Sequence, residues 1–170
     1  ERDIETRHKQ RIVLEQVRRQ MASMSTRQLL NKGQDPFFPE GAERRLRFIS
    51  EVPLLPGNDF GLVLVEYRVE EGGEGGLALK IFERNLVFLK ESDLEGEPDG
   101  KDFVELLPGL AGAAFAYHDR PGDGQDGTWR EEWVAASEKE FPRAVRLTLT
   151  PAGAFPETTI IAGIDWEEGR

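Results

Sequence analysis

The hydrophobic residues of this chain change their period once, and that change limits the fold more than any other feature. Up to about residue 31 they recur at spacings near three and four, with no proline or glycine before Gly33. This spacing predicts a helix over residues 3–31, which Gly33 and Pro36 would end. The apolar positions that define the helix are Ile4, Ile12, Val13, Val17, Met21 and Met24.

After Pro36 the period becomes two, which is the repeat of a β-strand. Residues 144–150 alternate cleanly between apolar and polar side chains, and residues 61–69 become polar on one face. One-sided strands of this kind are typical of antiparallel sheets that keep one face in water. A single helix before such a sheet predicts an α+β fold. The predicted strands are residues 45–51, 61–69, 77–84, 86–90, 102–107, 111–118, 128–135, 144–150 and 158–164.

A chain of 170 residues is long enough for one domain with a hydrophobic core and no disulfides. We expect an N-terminal helix in residues 1–35 and a β-rich globular body in residues 36–170, both parts of the same domain. The C-terminal half of the helix should lie against the antiparallel sheet, because its apolar stripe thickens there. The predicted core comprises Val17, Met21, Met24, Val63, Val65, Tyr67, Phe115, Val145, Leu147 and Leu149.

The charge of the chain argues against nucleic acid as a partner. The formal net charge is −10, whereas phosphate binding depends on clustered lysine and arginine. Basic residues concentrate in the first 32 positions, and acidic residues dominate from Glu66 onward. The sequence has no cysteine and no apolar run long enough to cross a bilayer. It begins at Glu1 without a methionine, so we expect a fragment whose preceding segment was removed.

Candidate catalytic residues are few. His8 and His118 are the two histidines, one on the charged helix and one at the end of a predicted strand, so no histidine cluster forms. A Gly-x-Ser-x-Gly nucleophile motif is absent from the sequence. Glu131 and Glu132 would point to opposite faces of a strand and cannot flank one bond. The sequence therefore predicts neither an enzyme nor a bound cofactor.

The best metal candidate is the turn at residues 119–127, where carboxylates and glycines are able to fold oxygen ligands around calcium. The spacing of an EF-hand is not met, because Pro121 takes the third position and Glu131 comes one place late. We favour a plain solvated hairpin over a calcium site. The ligands of such a site would be Asp119, Asp123 and Asp126.

Trp129 and Trp133 lie four positions apart, which on a strand places both side chains on one face. They would either fill the core or stack on a sugar ring or a partner side chain. We favour the core, because large aromatic side chains supply much of the buried mass of a small sheet. A periplasmic carbohydrate-binding β-module remains an alternative interpretation.

The order of elements resembles that of J-type minor pseudopilins of type II secretion, in the pilin-like superfamily. The resemblance rests on the N-terminal helix, the FVELLPGL segment at residues 103–110, and an aromatic strand ending near Tyr117. A glycine-rich turn, a tryptophan-containing strand and the FPRAVRLTL segment at residues 141–149 follow in the same order. The resemblance covers nearly the whole chain, and minor pilins of type IV pili share much of the pattern.

This resemblance implies a structural subunit, not an enzyme. A J-type pseudopilin joins I-type and K-type pseudopilins in a complex at the pseudopilus tip and supports protein secretion across the outer membrane. It implies a periplasmic domain of a single-pass inner-membrane protein, whose anchoring segment is missing here. Glu5 is therefore not the acidic residue found near the mature start of such proteins. No cofactor is implied.

The early turns of the predicted helix are nearly all charged, with a narrow apolar stripe. We expect Ile4, Ile12 and Val13, with Arg7 and Arg11 beside them, to meet the helices of partner pseudopilins. The alternative is a frayed end without a role.

Overall fold

A computed structural model describes residues 2–26, 37–119, 127–153 and 156–165. The described residues form helix α1 (Arg2–Ala22), two short helices, α2 (Glu91–Glu95) and α3 (Ala135–Glu138), and eight strands. Short 3-10 helices lie at Leu86–Phe88 and Gly100–Asp102. The strands are β1 (Glu40–Ala42), β2 (Arg45–Ser50), β3 (Val63–Glu71), β4 (Leu77–Asn85), β5 (Val104–His118), β6 (Trp129–Arg130), β7 (Ala144–Pro151) and β8 (Thr158–Gly163).

All strand pairs are antiparallel, in the order β1-β2-β3-β4-β5-β7-β8, and β6 pairs separately with the end of β5. The long β5 pairs with β4 along its first half and with β7 along its second half, and its last two residues also pair with β6. Gly109, with a φ of 68°, and a register shift beside Leu110 mark the change of partner. The α+β prediction with an antiparallel sheet is confirmed.

The turn between β1 and β2 packs against β5 and forms hydrogen bonds with it. The Phe115 amide donates to the Glu43 carbonyl at 2.7 Å, and the Tyr117 hydroxyl donates to the carbonyls of Ala42 and Arg45, both at 2.9 Å. Gly41 forms an isolated bridge with Trp133. A Cβ at Gly41 would lie 2.0 Å from the Tyr117 hydroxyl oxygen, so this close approach requires glycine. The β1 edge of the sheet is therefore closed by its own fold.

The core lies between α1 and one face of the sheet. Leu14, Val17 and Met21, at helical spacing, pack into the same cluster as inward side chains of β2, β3, β4, β5, β7 and β8. All ten residues predicted to form the core are buried, which confirms that part of the sequence analysis. The largest buried side chains include Trp133, Tyr67, Tyr117 and Phe115.

The opposite face of β2, β3 and β4 is partly covered, although the alternation predicted a wet surface. The segment from Leu86 to Phe103 packs over Ile49, Leu64 and Phe82 and forms a second apolar cluster. Glu66 is buried beside this cluster and pairs with Arg45 at 3.1 Å and with Arg68 at 2.5 Å. A polar position in the strand pattern is thus an ion-pair site inside the protein, not a hydrated one.

The predicted helix end at residue 31 is wrong, because α1 ends at Ala22. Met24 instead bridges to Ser50, and the Ser25 amide donates to the Ile49 carbonyl at 2.7 Å. Residues 27–31 lie outside the described residues. Backbone pairing with the end of β2 takes the place of helical hydrogen bonds here. This tertiary contact overrides the local preference of the sequence for helix.

Four of the predicted strands also differ from the structure. Residues 86–90 begin with a 3-10 helix, because the Asn85 side chain accepts from the Val87 amide and caps it. The two predicted strands at 102–107 and 111–118 are the single bent β5. The predicted strand 128–135 is a strand only at Trp129–Arg130, after which α3 begins at Ala135.

Candidate functional site

The N-terminal half of α1 projects from the body. The side chains from Ile4 to Lys9 are all exposed, and Leu14 is the first buried residue of the helix. At 1.5 Å per residue, the helix before Leu14 extends about 15–18 Å. Five residues were expected to form a partner interface. Four of them, Ile4, Arg7, Arg11 and Ile12, lie on this projecting segment outside the core, and Val13 lies where the segment meets the body.

The exposed apolar side chains of the projecting segment lie on one side. Ile4 is 73% exposed and Ile12 is 47% exposed, with His8 between them at four-residue spacing. At 100° per residue, this stripe faces away from the stripe formed by Leu14, Val17 and Met21. Ile4 and Ile12 are therefore unable to reach the core of their own domain. We call Ile4, His8 and Ile12 the outward stripe.

Val13 differs from its neighbour Ile12. It is partly buried and packs against the core cluster of the domain. Arg7 and Arg11 are exposed on the projecting segment. The structure thus brings Ile4, Ile12 and Arg11 to one exposed sector of the helix, with Arg7 at its margin, while Val13 points towards the body.

The base of the helix is held by a buried hydrogen-bond network that sequence analysis did not find. The Gln20 side chain donates to the Glu83 carboxylate at 2.6 Å and to the Val52 carbonyl at 2.8 Å. Its oxygen accepts from the Tyr67 hydroxyl at 2.5 Å. The Ser50 hydroxyl also donates to the Gln20 carbonyl at 2.9 Å. Burial raises the pKa of the Tyr67 hydroxyl well above its usual value, which keeps it a donor.

Glu83 extends this network into the loop after β2. Its carboxylate accepts from the amides of Leu54 and Leu55 at 2.8 and 2.9 Å and from the Asn58 side chain at 3.0 Å. Hydrogen bonds to a carboxylate are among the stronger ones in proteins. The helix is therefore fixed to β2, β3 and β4 at its C-terminal end, and the direction of its projecting segment is set by the body.

The calcium candidate is only partly described. Both oxygens of Asp119 are engaged: one accepts from the Thr128 amide at 2.8 Å and the other from the Thr128 hydroxyl at 3.1 Å. The amide hydrogen bond is the main cause that lowers the pKa of the Asp119 carboxyl. Asp123 and Asp126 lie outside the described residues. Within the part of the chain that the structure describes, three or more possible metal-ligating side chains do not cluster.

Trp129 and Trp133 have different environments. They were predicted to lie on one strand, but that strand ends at Arg130. Trp133 is buried, and its indole nitrogen donates to the Glu140 carbonyl at 3.1 Å, as the core interpretation predicted. Trp129 is half-buried on the surface. His118 meets its ring edge-on, and the Arg146 guanidinium lies 4.6 Å from its centroid. Trp129 lines a surface depression together with His118 and Arg143, and the Arg146 guanidinium lies over one face of its ring.

A second exposed apolar group lies at the opposite end of the helix. Phe60, Val87 and Phe88 are each more than three-quarters exposed. The Asn85 side chain joins them, because it donates to the Phe60 carbonyl at 2.7 Å and accepts from the Val87 amide. Residues 86–88 were predicted as a strand with one buried face, so this group was not foreseen from the sequence.

None of the described helices is long and apolar enough to cross a membrane. No curated protein matches the chain. The family described as type II secretion system (T2SS), protein J, matches residues 1–161 of the 170. The match includes the projecting helix, β5 and β7, which are the elements that carried the resemblance seen in the sequence. The chain therefore belongs to the protein J family of type II secretion pseudopilins, which are structural components.

Proposed function

We propose that the chain is the J subunit that joins I-type and K-type pseudopilins in the complex at the pseudopilus tip, and so supports secretion across the outer membrane. Residues 1–35, which contain α1, and the body at residues 36–170 belong to one domain with the pseudopilin fold. The domain lies in the periplasm, and a preceding segment anchors the full-length protein in the inner membrane. Family membership supports the secretion role, and the helix supports the manner of assembly.

The single observation that carries the assembly role is the outward stripe on a helix fixed at its base. Ile4 and Ile12 are exposed on the side of the helix that faces away from the described core, where the helix of a partner could cover them. Helices pack by fitting side-chain ridges into grooves, and an exposed apolar stripe is what such packing requires. Arg7 and Arg11 lie on the same projecting segment and would steer an acidic partner surface during encounter.

The energy available from this contact is sufficient for a measurable effect. Full burial of an isoleucine side chain contributes about 1.5–3 kcal/mol. Ile4 and Ile12 retain 73% and 47% of their exposure, so covering both contributes about 2–4 kcal/mol in total. That range corresponds to a change of about 30-fold to 1,000-fold in the dissociation constant.

The test is a double variant, Ile4→Asp with Ile12→Asp, titrated against purified I-type and K-type pseudopilin domains. Val13 is left unchanged, because it packs on the core and its substitution would confuse binding with stability. We expect binding to weaken at least about 30-fold, while the thermal midpoint stays near that of the parent. Val87→Asp is the control, since Val87 is 81% exposed and lies in the 3-10 helix of the body, outside the projecting segment.

Unchanged binding of the double variant would refute the interface. Equal weakening by Val87→Asp would also refute it, because the effect would then be one of charge and not of the stripe. Selective binding to minor pilins of type IV pili, without binding to I-type and K-type pseudopilins, would assign the subunit to a pilus.

A further inference from the structure

The two edges of the sheet are unequal. At the β1 edge, Gly41 bridges to Trp133 and Glu43 accepts from Phe115, so the strand is short and covered. At the other edge, β8 has six residues and pairs with β7 alone among the described residues. Helix α1 packs near β8 and shares the core cluster with Ala162 and Ile164, whose side chains are buried on the inner face of the sheet.

The backbone groups that β8 turns to its open side follow from the register. The Ile164 amide donates to the Arg143 carbonyl at 2.8 Å, which fixes the phase of the ladder. Bonded and non-bonded pairs alternate in an antiparallel ladder, so Ala162 and Ile160 also direct their backbone groups to β7. The alternate residues direct their N–H and C=O groups outward. These are Thr159, Ile161 and Gly163.

Within Thr158–Gly163, the open edge has none of the usual protection against strand pairing. Natural edge strands are made short, bulged, charged or interrupted by proline. The sequence of β8, TTIIAG, contains no charge and no proline, and its register with β7 is continuous. Ile161 is 51% exposed on the outer face of the sheet. A polypeptide in extended conformation is the ligand that completes such an edge, through β-strand addition.

The charges at the two ends of β8 indicate what kind of strand fits. Glu157 and Asp165 are exposed directly before and shortly after the strand. Two cations lie on the neighbouring segment: Arg143 is exposed beside Ile164, and Arg146 has its guanidinium over Trp129. The edge is therefore an uncharged row of backbone groups between two carboxylates, on a chain with a net charge of −10.

A second copy of this chain does not fit the edge in the register that is centred on Ile161. Antiparallel self-pairing centred on Ile161 would place Glu157 of one copy directly opposite Asp165 of the other, because each lies four residues from Ile161. Like charges directly opposite destabilise a strand pair, and this arrangement would contain two such pairs.

We propose that the open edge of β8 is a docking site for an extended segment of a partner chain, with an uncharged β-branched centre and basic residues on both sides. The outward groups of Thr159, Ile161 and Gly163 bond to its backbone, and Glu157 and Asp165 attract its cations. This site lies on the body and does not depend on the outward stripe of α1 or on the proposed tip complex.

The probe is the synthetic peptide Lys-Lys-Thr-Val-Thr-Val-Thr-Lys-Lys, and the readout is amide hydrogen exchange of the labelled protein together with calorimetry. In the free protein the amides of Thr159, Ile161 and Gly163 should exchange fast, while those of Ile160 and Ala162 are protected by β7. The peptide should protect the outward amides. A peptide with glutamates in place of lysines should bind at least about tenfold more weakly.

The variant Ile161→Pro removes one outward N–H without removing a bond to β7, since edge strands accept proline at such positions. It should weaken peptide binding at least about tenfold, whereas Ile161→Ala, which keeps the amide, should change it less than about threefold. Circular dichroism checks that the proline variant folds. If it does not, a peptide with a central proline gives the same comparison on the unmodified protein.

Three results would overturn the proposal. The first is slow exchange of the outward amides in the free protein, which would mean that the edge is already covered by the chain itself. The second is concentration-dependent dimerisation that protects the same amides, which would make a second copy the occupant. The third is absence of peptide binding, or binding that leaves the outward amides unprotected.

Discussion

The network around Gln20 gives the sharpest prediction about how the helix is held. The side chain of Gln20 is buried and makes three hydrogen bonds, with Glu83, Val52 and Tyr67. Gln20→Leu keeps a similar volume and removes all three. The Tyr67 hydroxyl would then be buried without an acceptor, which costs about 1–3 kcal/mol. Glu83 loses one hydrogen bond to a charged acceptor, which is worth about 1.5–3 kcal/mol.

Glu83 keeps its other donors at Leu54, Leu55 and Asn58, so part of the second loss is recovered. We therefore expect Gln20→Leu to reduce the free energy of unfolding by about 3–4 kcal/mol. For a chain of this size that corresponds to a fall of about 10 °C in the thermal midpoint. Urea titration gives the free energy, and calorimetry gives the midpoint.

A double-mutant cycle separates the network from simple loss of packing. In the parent, Tyr67→Phe should cost about 1 kcal/mol, because it removes one hydrogen bond and one polar group together. In the Gln20→Leu background the same substitution should be neutral or stabilising, because it removes the stranded hydroxyl. A cost below about 1 kcal/mol for Gln20→Leu would refute the reasoning. Equal costs of Tyr67→Phe in the two backgrounds would refute it as well.

Two further predictions concern Glu66 and Asp119. Glu66→Ala should destabilise the protein by about 3–5 kcal/mol in urea unfolding, because it removes the carboxylate that pairs with the buried Arg47 and with Arg68, while Arg45 keeps only its longer pairs with Glu40 and Glu97. A loss below about 1 kcal/mol would contradict this account. Asp119→Ala should be destabilising at neutral pH, where the carboxylate caps Thr128. The pKa of this carboxyl is lowered in the folded state, so the contribution is complete above its ordinary value near pH 4 and is lost as the pH falls through the lowered value. Parent and variant should therefore converge in acid, and a difference that persists there would exclude this origin.

The sequence by itself determined the class of fold and much of the core. Period-two alternation in β3 and β7 selected the inward faces, and Val63, Val65, Leu147 and Leu149 are buried as predicted. The spacing of Val17 and Met21 likewise gave the packed face of α1. These assignments succeed because side-chain direction in a helix or strand is a local property of the backbone. The family was also recognisable from the order of its elements, and the match over residues 1–161 confirms it.

The tertiary structure alone decided where elements end and which polar residues are buried. The helix ends at Ala22 because Met24 pairs with Ser50, a residue far along the chain. Polar residues such as Gln20 and Glu66 are normally exposed to water. Here both are buried, and segments far along the chain supply their hydrogen-bond and ion-pair partners. Neither fact is visible in a local pattern, because burial of a polar group depends on long-range contacts that satisfy it. The same holds for the open edge of β8. The apolar sequence of β8 predicted a strand, but only the strand order observed in the structure shows that β8 lies at the edge of the sheet.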